Sequence, residues 1–376
     1  MSKAEELGLD QQIDKVFGDL TGWFVDLIFY QIPFSENVSI YWVLFPLILG
    51  AGYFTFYFNL INFRKIGVAV NIVRGKYDEL DHHESITAAG DSTPGGDNIE
   101  TIAIEGHEGE VSHFQALTAA LSATVGLGNI AGVAIAVSIG GAGATFWMIV
   151  AGFLGMASKF VECTLGVKYR DIDENGVVYG GPMYYLTKGL KARGFTKLGK
   201  ILAVLFAIFV VGGSFGGGNM FQVNQAFQLV QNITGGDTSM LAGNGWLFGL
   251  VMAVLVGIVI IGGIQKIAKV TDKIVPFMVV TYVAASIFVL VAKYDMIGWA
   301  FSEIINGAFS PEGVAGGAIG VLVQGFRRAA FSNEAGVGSA SIAHSAVKTK
   351  YAASEGLVAL LEPLIDTVIV CTMTAL

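Results

Sequence analysis

The sequence predicts an all-α protein that crosses a membrane several times, and three observations carry that prediction. Hydrophobic residues make up 53% of the 376-residue chain and charged residues only 14%, against roughly 25% charged in soluble domains. Several uninterrupted apolar windows reach the ~20 residues that cross a hydrocarbon core at about 1.5 Å per residue, and mean hydropathy is +0.63. The basic residues, finally, alternate between one side of those windows and the other.

Taken in order, residues 1–38 form an N-terminal segment. Within it the stretch 11–33, "QQIDKVFGDLTGWFVDLIFYQIP", mixes aromatic and acidic residues at helical spacing, as an interfacial helix does. It lacks the basic start and small-residue cleavage site of a secretory signal, so insertion is expected to use the spans themselves. Eight spans are read at 40–61, 114–138, 144–167, 200–231, 246–264, 272–292, 313–328 and 355–376. With the N-terminus outside, the inside segments hold 18 of the 22 basic residues, and Lys3, Lys15 and Lys293 lie outside. The positive-inside rule therefore selects this orientation and supports the span count. The last span runs to Leu376 without a polar flank, so the chain is expected to be an incomplete protein.

The domains read as the 1–38 segment, an extra N-terminal span at 39–63, a cytoplasmic acidic loop at 64–112, a first repeat of five spans at 113–293, and an incomplete second repeat of two spans at 294–376. The loop's "DHHE" offers metal-ligand types, but neighbours on a solvated loop preset no coordination geometry. Cys163 and Cys371 fall inside spans and read as small buried hydrophobes, not as a disulfide or metal ligands.

Within the second span, "TVGLGNIAGV" (124–133) places Gly126, Gly128 and Gly132 around Asn129. Glycine costs about 1 kcal/mol against alanine in a helix interior, so local unwinding is expected here. Unwound backbone inside hydrocarbon must line a cavity or be buried in protein; freed N–H groups hold a carboxylate and freed carbonyls an alkali cation. Close packing through small residues is the competing explanation. The span from 114 runs inside to outside and the one from 313, five spans later, runs the other way, as inverted five-helix repeats require. Both are glycine-rich, the second as "GVAGGAIGVLVQG", and such pairs mark a binding site near the bilayer midplane. The G-x-G-x-x-x-G spacing comes near a dinucleotide fingerprint, but strand, βαβ unit and downstream acid are missing.

In the span at 200–231, "SFGGGNMFQVNQAFQ" presents Asn219, Gln222, Asn224, Gln225 and Gln228. Gln222 is the candidate ligand-facing amide, because Gly216–Gly218 allow close helix approach. Lys159 and Glu162, three apart, are expected to pair and snorkel to the inner surface. Glu362 and Asp366, at i and i+4 in the last span, are candidates for gating or for cation binding. No nucleophile, histidine and acid cluster in sequence, and the five histidines fall in loops, which disfavours an enzyme. The net charge of −8 says less here than the distribution of the basic residues, and nucleic acid is not an expected partner.

The ordered series "GNIAGVAIAVSIGGAGATFWMIVAGFLGMASKFVECTLGVKYR", "GGPMYYL", "GGGNMFQVNQ", "FSNEAGVGSASIAHSA" and "DTVIVCTMTAL" resembles the alanine or glycine:cation symporter family from about residue 113 onward. The resemblance implies sodium-coupled uptake of small neutral amino acids, alanine or glycine, by a leucine-transporter-type inverted repeat with an extra N-terminal helix, in the cell membrane and with no cofactor beyond the co-transported sodium. It places Asn129 and the backbone of Gly126 and Gly128 at the substrate carboxylate, Gln222 beside it, and Gly316 and Gly317 on the opposite wall. Sodium is implied at the carbonyls of Thr124, Val125 and Gly128. Three further spans of the family are absent from this chain, including one that completes the sodium site. An amino-acid-gated channel or sensor on the same scaffold, and a proton-coupled transporter, are the alternatives.

Overall fold

The computed structural model of the chain describes residues 9–35, 38–78, 109–310 and 317–376. The acidic "DHHE" stretch and Gly316 lie outside the described residues. The chain is mostly helical, and among the described residues four helices are long and apolar enough to cross a membrane. Helix α1 (Leu9–Ile28) leaves Phe17, Leu20 and Trp23 exposed. Two short antiparallel hairpins correct the all-α reading: β1 (Gln31–Ser35) with β2 (Val38–Tyr41), and β3 (Asp171–Ile172) with β4 (Val178–Tyr179). The first joins α1 to α2 (Leu44–Tyr57), which is followed by α3 (Ile61–Arg64) and α4 (Ile66–Val73).

The span read at 114–138, with unwinding expected around Gly126–Asn129, is two helices, α5 (His113–Thr124) and α6 (Ala131–Gly140). Ser112 starts α5 with a capping box to Gln115, satisfying two otherwise unpaired donors. Next come α7 (Gly143–Lys168), α8 (Pro182–Ala192) and α9 (Thr196–Ile233). Then follow α10 (Gly245–Ile260), α11 (Gly263–Ala292) and α12 (Tyr294–Phe309). Helix α12 occupies sequence read only as a connection. The second glycine-rich segment is also divided, into α13 (Gly317–Asn333) and α14 (Ala340–His344), and the chain ends with α15 (Ala352–Ala375).

Helix α7 is the hub, with α2, α13, α14 and α15 packed around it. Its glycines permit this. A Cβ on Gly155 would come 2.9 Å from the Ala335 methyl, and one on Gly152 3.0 Å from Thr367 Cγ2. On α15, a Cβ at Gly356 would lie 2.0 Å from Thr164 Oγ1. Small residues at such crossings let backbones approach where a bilayer offers no hydrophobic drive to helix association. By contrast only 6% of the most apolar window of α11 is buried, leaving Phe277, Val280 and Phe288 outward; such a face suits lipid.

Both breaks have identifiable backbone causes. Between α5 and α6, Val125 turns extended and the ladder resumes only at Ala131. Between α13 and α14, Glu334, Gly336 and Gly338 take positive φ of 52°, 85° and 95°, where glycine is favoured. The second break thus lies at 334–339, past the glycine cluster that drew attention in the sequence.

Candidate functional site

The α5–α6 break is held by one side chain. Asn129, 1% exposed, accepts from the Gly126 N–H through Oδ1 at 2.7 Å. Its Nδ2 lies 2.6 Å from Asp366 Oδ1 and 3.2 Å from Ser332 Oγ. Ser332 and Thr367 each donate to Asp366 Oδ2, at 2.8 and 2.7 Å, and Asn333 Nδ2 donates to Thr367 Oγ1 at 2.9 Å. Three elements therefore converge: the α5–α6 break, the last turn of α13 and the middle of α15. Gly128 makes the approach possible, because a Cβ there would stand 3.3 Å from Ser332 Cα.

Asp366 is fully buried within a π-helical stretch, Leu364–Cys371. Its partners are all neutral; among the described residues no lysine, arginine or histidine lies within 4 Å of it. A buried carboxylate satisfied only by dipoles remains short of a counter-charge. Around it the break leaves groups unpaired. Among the described residues, the carbonyls of Thr124, Val125 and Gly128 accept no backbone hydrogen bond, and the N–H groups of Leu127, Gly128, Ile130 and Ala131 donate none. Gln222 faces them across α9: a Cβ on Gly126 would be 3.5 Å from Gln222 Oε1. The preceding turn of α9, Ser214–Met220, is also π-helical, and such turns recur at functional sites. Beside Gln222, Phe221 stands edge-on to Phe331, ring centroids 6.0 Å apart.

The structure thus brings together Thr124, Val125, Gly126, Gly128, Asn129, Gln222 and Asp366. It does not bring Gly317 there. Gly317 opens α13 fifteen residues before Ser332, about 22 Å along a straight helix, and the wall near Gly128 is formed by Ser332 instead. Ser332, Asn333 and Thr367 were not singled out in the sequence, although polar residues beside a glycine-rich break, as in "FSNEAGVG", are the signal that finds them. Cys371, 3.3 Å from Asn129 Nδ2, and Cys163 are both free and buried.

The other ionisable residues form a second cluster. Lys159 does not snorkel: it is fully buried, with Nζ 2.8 Å from Glu362 Oε2 and 3.6 Å from Glu162 Oε1. The reason is α15, whose close crossing over α7 at Gly356 closes the route to the surface and supplies the partner. Glu162 Oε2 accepts from the N–H groups of Gly336 and Gly338, both at 3.2 Å, pinning the second break. His113 and His344 are not loop residues either. They sit at the start of α5 and the end of α14, each with Nδ1 hydrogen-bonded to a different oxygen of Glu355.

A family model for the sodium:alanine symporter family matches residues 28–376. The sodium/alanine symporter AgcS of Methanococcus maripaludis is 46% identical over 242 residues, covering 64% of this chain and 51% of that protein. The probable sodium/glutamine symporter GlnT of Bacillus subtilis is 37% identical, over 64% of this chain and 48% of its own. The putative sodium/proton-dependent alanine carrier protein YrbD of Bacillus subtilis is also 37% identical, over 64% and 47%. The chain spans about half the length of these curated relatives. With the match running through both broken helices, the chain belongs to the sodium:alanine symporter family.

Proposed function

We propose that this chain carries the core binding site of a secondary transporter that couples sodium to alanine, and to glycine, by alternating access between inverted repeats in the cell membrane, with its N-terminus outside. The observation that supports this best is Asp366, a buried carboxylate with no lysine, arginine or histidine among the described residues within 4 Å, set against a broken helix. A sodium ion supplies the missing charge. Its oxygen donors are the Asp366 carboxylate, the Ser332 and Thr367 hydroxyls, and the unpaired carbonyls of Thr124, Val125 and Gly128. Hard oxygen ligands of this kind suit an alkali cation.

The amino-acid carboxylate takes the free N–H groups at the start of α6, where the helix dipole favours an anion. Asn129 ties the two subsites by holding Gly126 and Asp366 in register, and Gln222 faces the substrate from α9. Two broken helices, α5–α6 followed by the hub α7 and α13–α14 followed by α15 packed on that hub, correspond to the paired discontinuous helices of inverted repeats. The names of the relatives agree on sodium and differ between alanine and glutamine, so the side-chain pocket is where substrate choice is made.

The test is accumulation of labelled alanine in proteoliposomes with and without an inward sodium gradient, for this chain and for one continued to the length of its relatives. Sodium-dependent uptake is expected, and Asp366→Asn should abolish the sodium dependence. No accumulation by either form under any cation gradient overturns the symport reading. Unchanged sodium dependence in Asp366→Asn removes that carboxylate from the cation site.

A further inference from the structure

The second ionisable cluster plays no part in that cation site and has its own charge problem. Glu162, Glu355 and Glu362 bring three negative charges into a volume from which water is excluded, and Lys159 returns one positive. With both histidines neutral the cluster holds two net negative charges, an arrangement that buried sites avoid. One proton each on His113 and His344 makes it neutral.

The geometry fits that protonation. Both Nδ1 atoms face Glu355, and His344 Nε2 lies 3.7 Å from Glu362 Oε1, so a proton on either nitrogen of His344 points at a carboxylate. His113 also lines a cavity of about 300 Å³, with Arg74, Asp78, Ser112 and Lys348 around it; water there can deliver and remove protons. The remaining titratable groups facing the bridge among the described residues are Lys159, Glu162 and the Cys163 thiol from α7. Asp272 on α11 reaches α5 only through Gln115, at 3.2 Å.

We propose that His113, Glu355 and His344 form a proton-binding site that latches this end of the bundle, tying the first half of one broken helix to the second half of the other and to α15. Protonated, the bridge is neutral and closed. As it loses its protons, Glu355 is left without a counter-charge and Lys159 alone must offset both Glu362 and Glu162, and the contact between α5 and the α14–α15 pair loosens. This role rests on the alternating-access reading, because a latch matters only where α5 must separate from its neighbours. The proton controls that separation and is distinct from the sodium at Asp366.

Ala116 reports on the contact, since it is fully buried against Ala346 and Val347. The experiment is labelling of Ala116→Cys in nanodiscs by a polar maleimide, read by mass spectrometry of the modified peptide between about pH 6 and about pH 8.5, across the histidine range. Rates are normalised to an exposed cysteine, Phe195→Cys, which removes the thiol's own titration. Normalised labelling is expected to rise by about tenfold or more as pH increases, within the range of allosteric couplings, and to stay flat when His113→Gln and His344→Gln are combined. His113→Gln alone, beside the cavity, should halve the number of protons released. Flat labelling in the histidine-containing chain overturns the latch without any variant, as does an unaltered slope in the double variant. Loss of sodium-driven uptake with the pH slope intact would refute the symport reading and leave the proton site standing; the reverse outcome would refute only the latch.

Discussion

Replacing Asn129 by alanine is the sharpest perturbation of the proposed binding site, because one amide holds both the break and the carboxylate. Asn129→Ala removes the 2.6 Å donor to Asp366 Oδ1 and the acceptor for the Gly126 N–H at 2.7 Å. A hydrogen bond to a charged group contributes about 1.5–3 kcal/mol, and an orphaned buried donor costs about 1–3. Water entering the vacated space recovers part of this, so a net loss of about 2–4 kcal/mol is expected, or about 30- to 1,000-fold weaker cation binding. The assay is equilibrium binding of labelled alanine over a sodium titration, on purified protein whose elution profile matches the parent. The sodium midpoint should move up by that factor while membrane insertion is unaffected. A midpoint within about threefold of the parent would show that Asn129 organises nothing at the site, and the convergence of α5, α13 and α15 on it would be packing alone.

Other substitutions separate unwinding, packing and charge. Gly126→Ala combined with Gly128→Ala should favour continuous helix and press a methyl towards Ser332; alanine uptake is expected to vanish, and normal uptake would assign these glycines to helix packing. Gly356→Ala sets a methyl 2.0 Å from Thr164 Oγ1 and 2.6 Å from the Phe160 carbonyl, overpacking that costs about 1–3 kcal/mol; thermal unfolding followed by size exclusion should show an earlier transition. Lys159→Met strands Glu362 and Glu162 without their cation, at about 3–5 kcal/mol. The same unfolding assay should show Glu362→Gln restoring part of the loss in the double variant, and strict additivity would mean that the pair does not interact.

Much of this arrangement was legible where local chemistry decides it. Gly126, Gly128 and Asn129 announce a broken helix because glycine weakens the ladder and an amide beside it offers replacement bonds, and the break falls there. The second break was read from the same signal and lies elsewhere: Gly313–Gly325 is denser in glycine, yet the chain turns at Glu334–Gly338. Gly325 serves helix contact instead, since a Cβ there would meet the Ala144 carbonyl at 2.6 Å. Composition cannot separate a glycine that bends the chain from one that admits a neighbour. Lys159 was misplaced for a similar reason. Three residues from Glu162, it satisfies a local pairing rule, while its closer partner, Glu362, arrives from more than two hundred residues away. His113 and His344 looked like loop residues because each stands at a helix end, and only the fold brings Glu355 between them.

The sequence does contain the clue that unites the two clusters. Glu355, Glu362 and Asp366 stand at i, i+7 and i+11, a spacing that keeps all three on one face of α15. That face meets α7, with Lys159 opposite Glu362 and Gly152 opposite Thr367. One helix thus carries the histidine bridge at one end and the proposed cation carboxylate, Asp366, about 16 Å away along its axis, with the π-helical turn beginning between Glu362 and Asp366. A π-turn departs from the regular helical ladder and is the natural place for the two ends to adjust to each other. Glu162 closes the circuit: it shares Lys159 with Glu362 and also holds Gly336 and Gly338 at the second break. A change of charge at the bridge therefore reaches both the helix that carries Asp366 and the turn that follows Ser332. If both proposals hold, proton occupancy at one end of α15 is expected to bear on cation binding at the other.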